Sequence, residues 1–322
     1  MAALDQRQHR GWEVLRLSTD EVSVDVVPGL GGTITSLTRS RDRAELLWST
    51  PWGLRRAGTS GLPGSAEATM IDSFPGGWQT LFPNGGDSAS ANGVEWGFDG
   101  EARTCWLDWE STGSSLIMSG RLTRSPFEIS KIISLRGREL TVGEAVRNVG
   151  GERIEVMWGS QLCLGGAVLG MDTVIDAAAS VVHPDPKISY SSNYDDVMPW
   201  PRSHGVDSMI NLRNLPESGA GQTRLAYLTE FTRPWISVTR PSLDLGLDLE
   251  WDIDRWPYVW YSMEAGGRRG FPWYSDGYFL ALTPCSSWPA HGLHDARRVS
   301  GTTVWIEPGD ARTSHLTISV HP

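Results

Sequence analysis

Short runs of alternating apolar and polar residues, each ended by glycine or proline, recur along most of this chain. Residues 21–27 (EVSVDVV) alternate with a period of two and stop at Pro28. Residues 128–135 (EISKIISL) and 139–146 (ELTVGEAV) repeat the pattern on either side of a turn at 136–138 (RGR). Successive side chains of a strand point to opposite faces, so this period is typical of β-strands. The pattern favours an antiparallel, strand-rich fold.

The same pattern continues to the C-terminal end, in residues 243–251, 258–263, 277–282, 301–306 and 314–320. Amphipathic helix patterns are scarce, and 36 glycines and 19 prolines fit many short strands joined by tight turns. No fixed period repeats, which disfavours a propeller or a solenoid. The sequence therefore predicts an all-β protein, with a single domain spanning residues 1–322.

Residues 183–222 are the least regular stretch and are rich in Pro, Ser, Asn and Asp. The strand patterns on both sides are similar, so we predict a long surface excursion from one domain rather than a linker between two. Long structured loops are often functional.

Charge and hydropathy exclude several classes of partner. The formal net charge of −10 disfavours binding to nucleic acid or to an anionic membrane, because both favour a basic surface. No stretch approaches the roughly 18–20 apolar residues of a membrane span. The first ten residues lack the basic-then-apolar order of a signal peptide. We therefore expect a cytoplasmic protein, either a monomer or a homodimer.

No metal or cofactor is expected. Cys105, Cys163 and Cys285 are far apart and odd in number, which suggests neither a disulfide framework nor a zinc site. His291 and His294 are three residues apart, but a metal site would need a third ligand. We expect these two histidines on a solvated loop. The glycine cluster after Pro28 precedes a strand pattern rather than the helix that a dinucleotide-binding motif requires.

Aromatic side chains can supply the flat apolar faces of a ligand site. The chain has 16 tryptophans against 7 Phe and 7 Tyr. Many of them must lie in the core, because large rings dominate burial. We expect at least two to line a ligand site, since binding pockets are mostly apolar with a few polar anchors.

Three segments carry a family resemblance. Residues 76–86 (GGWQTLFPNGG), followed by 97–101 (GFDGE), resemble the aldose 1-epimerase (galactose mutarotase) family, where a glycine-flanked Pro-Asn segment and a His-Gly-Glu shape one wall of a sugar pocket. Residues 148–165 and 256–289 continue the resemblance in the same order. It covers residues 12–320. It implies a galactose mutarotase-like β-sandwich (supersandwich), a concave sugar-binding face and a small-molecule carbohydrate ligand.

The resemblance also shows what this chain lacks. Asp99 and Gln161 stand where the family has two pocket histidines, and Thr283 stands where it has the general-base glutamate. Glutamine can hydrogen-bond to a hydroxyl but cannot carry a proton near neutral pH. Threonine has no accessible pKa for abstracting the anomeric proton. Little mutarotase activity on plain glucose or galactose is therefore expected.

Carboxylates are the remaining candidates for proton transfer. Glu264 follows an aromatic stretch whose surroundings would raise its pKa, and we predict it as the base, with Asp99 as the acid. The alternatives are a solvent-facing or salt-bridged Glu264, beside Arg268 or Arg269, and an Asp99 that fixes its own turn. The predicted substrate-binding residues are Asn84, Glu101, Gln161, Thr283, Trp78, Trp158, Trp260 and Asp276.

Three functions remain open at this stage. The first is an aldose 1-epimerase-like isomerase with altered acid and base, acting at the anomeric centre of a sugar or modified sugar. The second is a sugar-binding protein without catalysis. The third is a different two-carboxylate sugar reaction in the same cleft, such as lyase or hydrolase chemistry. One fold hosts many reactions, so the resemblance does not choose among them.

Overall fold

The computed structural model describes residues 2–59 and 62–321. Its regular structure is dominated by strands. The strands of the first half are β1 (Ala3–His9), β2 (Trp12–Ser18), β3 (Val22–Val27), β4 (Thr33–Arg39), β5 (Ala44–Glu45), β6 (Trp78–Leu81), β7 (Ala89–Ala91), β8 (Val94–Trp96), β9 (Asp108–Thr112), β10 (Ser115–Arg121), β11 (Phe127–Arg136), β12 (Glu139–Asn148) and β13 (Ile154–Val156). The strands of the second half are β14 (Gly159–Leu164), β15 (Val174–Pro184), β16 (Met198–Pro199), β17 (Arg202–His204), β18 (Met209–Asn211), β19 (Gln222–Arg240), β20 (Leu245–Trp251), β21 (Tyr258–Ala265), β22 (Tyr278–Cys285), β23 (Val304–Ile306) and β24 (Ala311–Val320).

The helices are short. They are α1 (Ala66–Ser73) and α2 (Gly292–Val299), with 3-10 turns at Pro28–Leu30, Ala102–Thr104, Gly166–Val168 and Pro241–Leu243. None of the helices in the described ranges is long and apolar enough to cross a membrane. The N-cap of α1 is Ser65, whose Oγ accepts a hydrogen bond from the backbone N–H of Ala68 at 3.1 Å.

The predicted all-β class is confirmed, and the strand pairs are antiparallel. One layer follows the pairing order β9, β10, β11, β12, β24, β20. The other follows β21, β22, β14, β6, β4, β3, β2, β1. The predicted turn between β11 and β12 is present, with Gly137 at φ 56°, a left-handed conformation that favours glycine.

The long strand β19 joins the two layers. Its first half, from Gln222 to Leu228, pairs with β21, and its second half, from Trp235 to Arg240, pairs with β20. Strand β15 follows β19 along both halves, and its register shifts between Ala177 and Ala179. Such an irregularity bends a strand and increases its local twist. The sheet therefore passes from one layer into the other, as in a sandwich built from one large sheet.

Strand parity decides which side chains enter the space between the layers. Trp78, Thr80 and Ser160 point inward, where Trp78 Nε1 donates to Ser160 Oγ at 2.7 Å and Thr80 Oγ1 donates to Glu144 Oε1 of β12 at 2.5 Å. Residues one position away on the same strands, such as Gln161, point to the opposite face. That face of the β21–β22–β14 layer carries the cleft described below.

Candidate functional site

A cleft of about 350 Å³ opens on the outer face of the layer containing β21 and β22. Its floor comes from β19, β21, β22 and β14, and their register arranges the floor side chains in three rows across the strands. The first row is Thr223, Glu264 and Phe279, the middle row is Leu225, Ser262, Ala281 and Cys163, and the third row is Trp260, Thr283 and Gln161. Ser262, Ala281 and Cys163 are small, so the part of the middle row that they form is a depression between the first and third rows.

The walls of the cleft differ in polarity. One wall is apolar and contains Met70, Ile71 and Phe74 with Trp273, which stacks on Trp52 at a centroid distance of 5.8 Å. The facing wall is polar and contains Asp87, Asp99, Lys187 and His291. Apolar surface with a few converging polar groups is the usual composition of a small-molecule site.

Asp99 is a buried acid in the polar wall. It is 4% exposed, and its Oδ1 accepts a hydrogen bond from the Gly86 N–H at 2.8 Å. Its backbone is left-handed, with φ at 58°, and the following Gly100 has no room for a side chain, because a Cβ would lie 2.3 Å from the Phe82 carbonyl oxygen. Burial raises the pKa of Asp99 to about 6, against the opposing effects of the Gly86 hydrogen bond and the charge of Arg103.

Glu264 occupies the first row and is 3% exposed. Its Oε2 accepts from Thr223 Oγ1 at 2.8 Å, and its Oε1 accepts from the backbone N–H of Arg268 at 3.0 Å. The side chain of Arg268 turns instead to Glu67 of α1, at 3.3 Å. Gly277 leaves space for the glutamate, since a Cβ there would lie 2.8 Å from Glu264 Cγ. The carboxylate is thus held by neutral donors rather than by an arginine side chain.

The third row supplies a ring and two neutral polar groups. Trp260 Nε1 donates to the Ser287 carbonyl at 2.8 Å, and its ring covers Gly85, where a Cβ would come within 2.7 Å of it. The Gln161 amide makes no side-chain hydrogen bond to any of the residues described. Together with the hydroxyl of Thr283, it offers a ligand neutral donors and acceptors.

His291 lies in the polar wall rather than on a solvated loop as the sequence suggested. Its side chain is 11% exposed, with Nε2 2.7 Å from Asp185 Oδ2 and Nδ1 3.4 Å from Asp87 Oδ2. Burial is the strongest influence and lowers its pKa, but the hydrogen bonds to Asp185 and Asp87 outweigh it and raise the pKa to about 9. Tyr227 Oη also donates to Asp185 Oδ2, at 2.5 Å. The imidazole is therefore a cation at neutral pH.

The excursion over residues 183–222 contributes to this wall. Lys187 lies 3.5 Å from Asp87 Oδ2 and 3.7 Å from Asp295 Oδ2. Sequence reasoning identified the excursion but missed Asp185, Lys187 and His291 as site residues. The only available signal was the polar composition of the stretch, because the pair between Asp185 and His291 joins positions 106 residues apart.

Two predicted binding residues hold loops instead of lining the cleft. Asn84 is fully buried, its Nδ2 donates to the carbonyls of Asp87 and Gly97, and its Oδ1 accepts from the Leu293 N–H. The other residue is Glu101. Its carboxylate accepts from three consecutive backbone N–H groups, at residues 123, 124 and 125, at 2.9–3.1 Å. Asn84 therefore fixes the polar wall from behind, whereas Glu101 anchors the loop between β10 and β11.

Three further predicted residues also lie away from the cleft. Trp78 is in the core, as described above. Trp158 donates from Nε1 to Glu144 Oε2 at 3.2 Å, between the layers. Asp276 is exposed in the loop before β22. The structure thus brings together Asp99, Gln161, Trp260, Glu264 and Thr283 at one cleft and places Asn84, Glu101, Trp78, Trp158 and Asp276 elsewhere.

The carboxylates of the cleft do not form a metal centre. Within residues 2–59 and 62–321, no group of three His, Cys, Asp or Glu side chains has the arrangement needed to hold a metal ion. Asp87 instead pairs with Lys187 and His291, and Asp99 accepts a hydrogen bond from the Gly86 N–H. The arrangement suits hydrogen bonding and proton transfer to a polar organic ligand.

No protein-family model and no curated protein matches this chain. Solved structures do match it. The Slr1438 protein of Synechocystis is 18% identical, with a TM-score of 0.67 over 96% of this chain and 95% of that one. A galactose mutarotase-like protein of Lactobacillus casei is 15% identical, with a TM-score of 0.66 over 96% and 100%. A galactose mutarotase related enzyme of Lactobacillus acidophilus is 13% identical, with a TM-score of 0.65 over 96% and 97%.

These matches extend over nearly the whole of each chain. They confirm the galactose mutarotase-like fold that the resemblance of the three segments implied. At identities of 13–18% they establish the fold alone, and chemistry must be argued from the cleft.

Proposed function

We propose that this chain is an aldose 1-epimerase-like isomerase that binds a sugar or modified sugar in the cleft and interconverts its anomers. The observation that carries the proposal is the pair of nearly buried carboxyl groups, Glu264 and Asp99, facing the same depression. Mutarotation needs one group that removes the O1 proton and one that protonates the ring oxygen. Two carboxyl groups in different environments can divide these roles.

The floor rows set the spacing of the two ends of the depression. Glu264 and Trp260 are four residues apart on β21, which places the first and third rows about 13 Å apart at the backbone, at about 3.3 Å per residue. Side chains from both rows extend into this space. A pyranose ring over the small middle row would contact Glu264 at one end and Gln161 and Thr283 towards the other, with Asp99 in the polar wall beside it.

In this scheme Glu264 removes the proton from O1 while Asp99 donates a proton to the ring oxygen. The C1–O5 bond breaks, C1 becomes a carbonyl carbon, and rotation followed by reclosure gives the other anomer. With a pKa of about 6, roughly a tenth of Asp99 is protonated at pH 7. The hydroxyl and amide in the third row replace titratable groups of the family, which favours a slow enzyme or one with a different sugar.

A second function, binding without turnover, is favoured by one specific observation. Both oxygens of Glu264 already accept hydrogen bonds, from Thr223 and from the Arg268 N–H. A carboxylate held in this way is also suited to binding the hydroxyl groups of a sugar.

NMR exchange spectroscopy on a panel of neutral, amino, acidic and phosphorylated sugars separates these functions. Anomer exchange faster than in buffer supports the isomerase. Saturable quenching of tryptophan fluorescence without exchange supports the binding protein, since Trp260 and Trp273 line the cleft. New resonances would indicate lyase or hydrolase chemistry. A panel with neither binding nor exchange would refute the proposal.

A further inference from the structure

A second cavity, of about 640 Å³, adjoins the cleft and shares Phe98 with it. It lies between α1 and the segment that follows Asp99. Side chains of Thr69, Ser73, Thr104, Glu95, Arg103 and Arg124 line it. The proposed function does not use this cavity.

Arg103 is the unusual residue here. It is 5% exposed, yet among the described residues its guanidinium makes one hydrogen bond, a long one of 3.5 Å from Nη1 to Ser73 Oγ. Its buried Nε has no partner. Asp99 attracts it electrostatically without a hydrogen bond, and burial lowers its pKa to about 10, so it remains charged at neutral pH. A buried cation without a hydrogen-bonded anion is costly, because desolvation is not compensated.

We propose that this cavity binds a small oxyanion, either a free ion such as phosphate or the phosphate or carboxylate group of a metabolite, with Arg103 as its main anchor. A planar guanidinium with free N–H groups matches two oxygens of such an anion. The hydroxyl of Thr69 provides a further donor on the same walls, whereas those of Ser73 and Thr104 already donate to the carbonyls of Met70 and Glu101.

Arg124 supplies a second positive charge at the rim. Its Nη1 donates to the backbone carbonyl of Glu95 at 3.1 Å, which fixes the side chain beside the cavity. Glu95 itself lines the cavity with a negative charge, so the three side chains sum to one positive charge. A net charge of one positive unit matches a monoanion, and it neutralises part of the charge of a phosphate dianion.

Isothermal titration of the full chain with inorganic phosphate tests this directly, at pH 7.5 and constant ionic strength. Saturable binding with one site per chain is expected. Arg103→Met should weaken it at least about 10-fold and Arg124→Gln by less, since one charge-assisted hydrogen bond is worth about 1.5–3 kcal/mol. Arg147→Gln, on the exposed face of β12, is the matched control and should bind as the wild type does.

Lys187→Gln distinguishes this cavity from the sugar cleft. Loss of phosphate binding in Lys187→Gln with full retention in Arg103→Met would place the anion in the cleft and overturn the proposal, as would a non-saturable wild-type titration. If circular dichroism shows that Arg103→Met does not fold, Arg124→Gln combined with Thr69→Val decides, and unchanged affinity in that variant refutes the site. The titration contains no sugar, so its outcome is independent of the proposed function.

A comparison of phosphate with glycerol 3-phosphate and acetate identifies the source of the anion. Tighter binding of glycerol 3-phosphate than of phosphate assigns the cavity to a group carried by a metabolite. Equal or weaker binding assigns it to the free ion.

Discussion

Nε2 of His291 lies 2.7 Å from Oδ2 of Asp185, a carboxylate whose side chain is fully buried. The pair joins the loop after β22 to the start of the long excursion after β15. Since Asp87 also contacts His291, three loops of the polar wall meet at one imidazolium. The charge of His291 therefore contributes to holding the polar wall together.

The first prediction concerns stability at alkaline pH. The folded-state pKa of His291, about 9, is above the unfolded value of 6.5. The stabilisation is therefore complete below about pH 6.5 and is lost as pH rises through about 9. We expect His291→Gln to cost at most about 3 kcal/mol at pH 6.5, and much less at pH 10.

Urea denaturation of the wild type and of His291→Gln across this pH range measures the difference in their free energies of unfolding. His294→Gln is the matched control, because His294 is exposed and, among the residues that the structure describes, hydrogen-bonds only to the Ser90 carbonyl. A difference that does not change with pH would mean that His291 is not a cation in the folded chain.

Asp99→Asn should stabilise the protein near neutral pH. The folded pKa of Asp99, about 6, exceeds its ordinary value of 3.8, so its favourable contribution is complete below about pH 4 and is lost as pH rises through 6. Asparagine keeps the acceptor for the Gly86 N–H and tolerates a positive φ. We expect a gain of about 1–3 kcal/mol at pH 7.5 and almost none at pH 4.

Asp99→Ala is the informative companion variant, because it removes both the hydrogen bond and the tolerance for a left-handed backbone, and it should destabilise at both pH values. If Asp99→Asn is less stable than the wild type at pH 7.5, the carboxyl group is not penalised by burial.

Glu264→Gln tests the proposed base. For any sugar that shows catalysed anomer exchange, the exchange rate should fall about 10²–10⁴-fold. The dissociation constant should change only a few-fold, because glutamine still offers an acceptor and a donor. Glu128→Gln, on the exposed face of β11, controls for a general loss of one charge. An unchanged exchange rate in Glu264→Gln would remove the residue from the mechanism.

The wild-type chain should be slow on plain glucose and galactose, because Gln161 and Thr283 cannot transfer protons there. Gln161→His combined with Thr283→Glu restores the residue types that the resemblance places in the third row. We expect at least about a 10-fold gain in galactose anomer exchange, at the lower end of the effect of one positioned proton donor or acceptor. Rapid exchange by the wild type would contradict this account of the third row.

Glu101→Ala should act on stability and not on ligand affinity. Its carboxylate satisfies the backbone N–H groups of Thr123, Arg124 and Ser125, and their loss costs about 2 kcal/mol or more. Urea denaturation reports this cost, and Glu110→Ala on β9 is the exposed control. A large change in sugar affinity at unchanged stability would instead make Glu101 a binding residue.

The strands and turns were predictable because the sequence patterns that specify them lie within a few consecutive residues. Alternation over residues 128–135 and the glycine at 137 specify a hairpin without reference to the rest of the chain. The face of each strand was not predictable from alternation. Trp158 and Gln161 both sit in an apolar run, and only the position of the other layer decides that Trp158 points inward.

The candidate site was predictable only in part for a related reason. Segments that the resemblance indicated contain residues that line the cleft, but they also contain residues that support it from outside. Asn84 and Glu101 stand beside cleft residues in sequence, yet their side chains satisfy backbone groups. His291 could not be predicted, because its partners come from two other loops.

The three-row floor separates the carboxyl groups of the cleft from the side chains that set its depth. Glu264 lies at one end of the depression and Asp99 lies in the polar wall, while the depth of the depression is set by Ser262, Ala281 and Cys163. A substitution in the middle row alters which ring can settle there and leaves the charged groups in place. Descendants of this chain can therefore acquire a new ligand without rebuilding their chemistry, and can lose chemistry without losing the ligand.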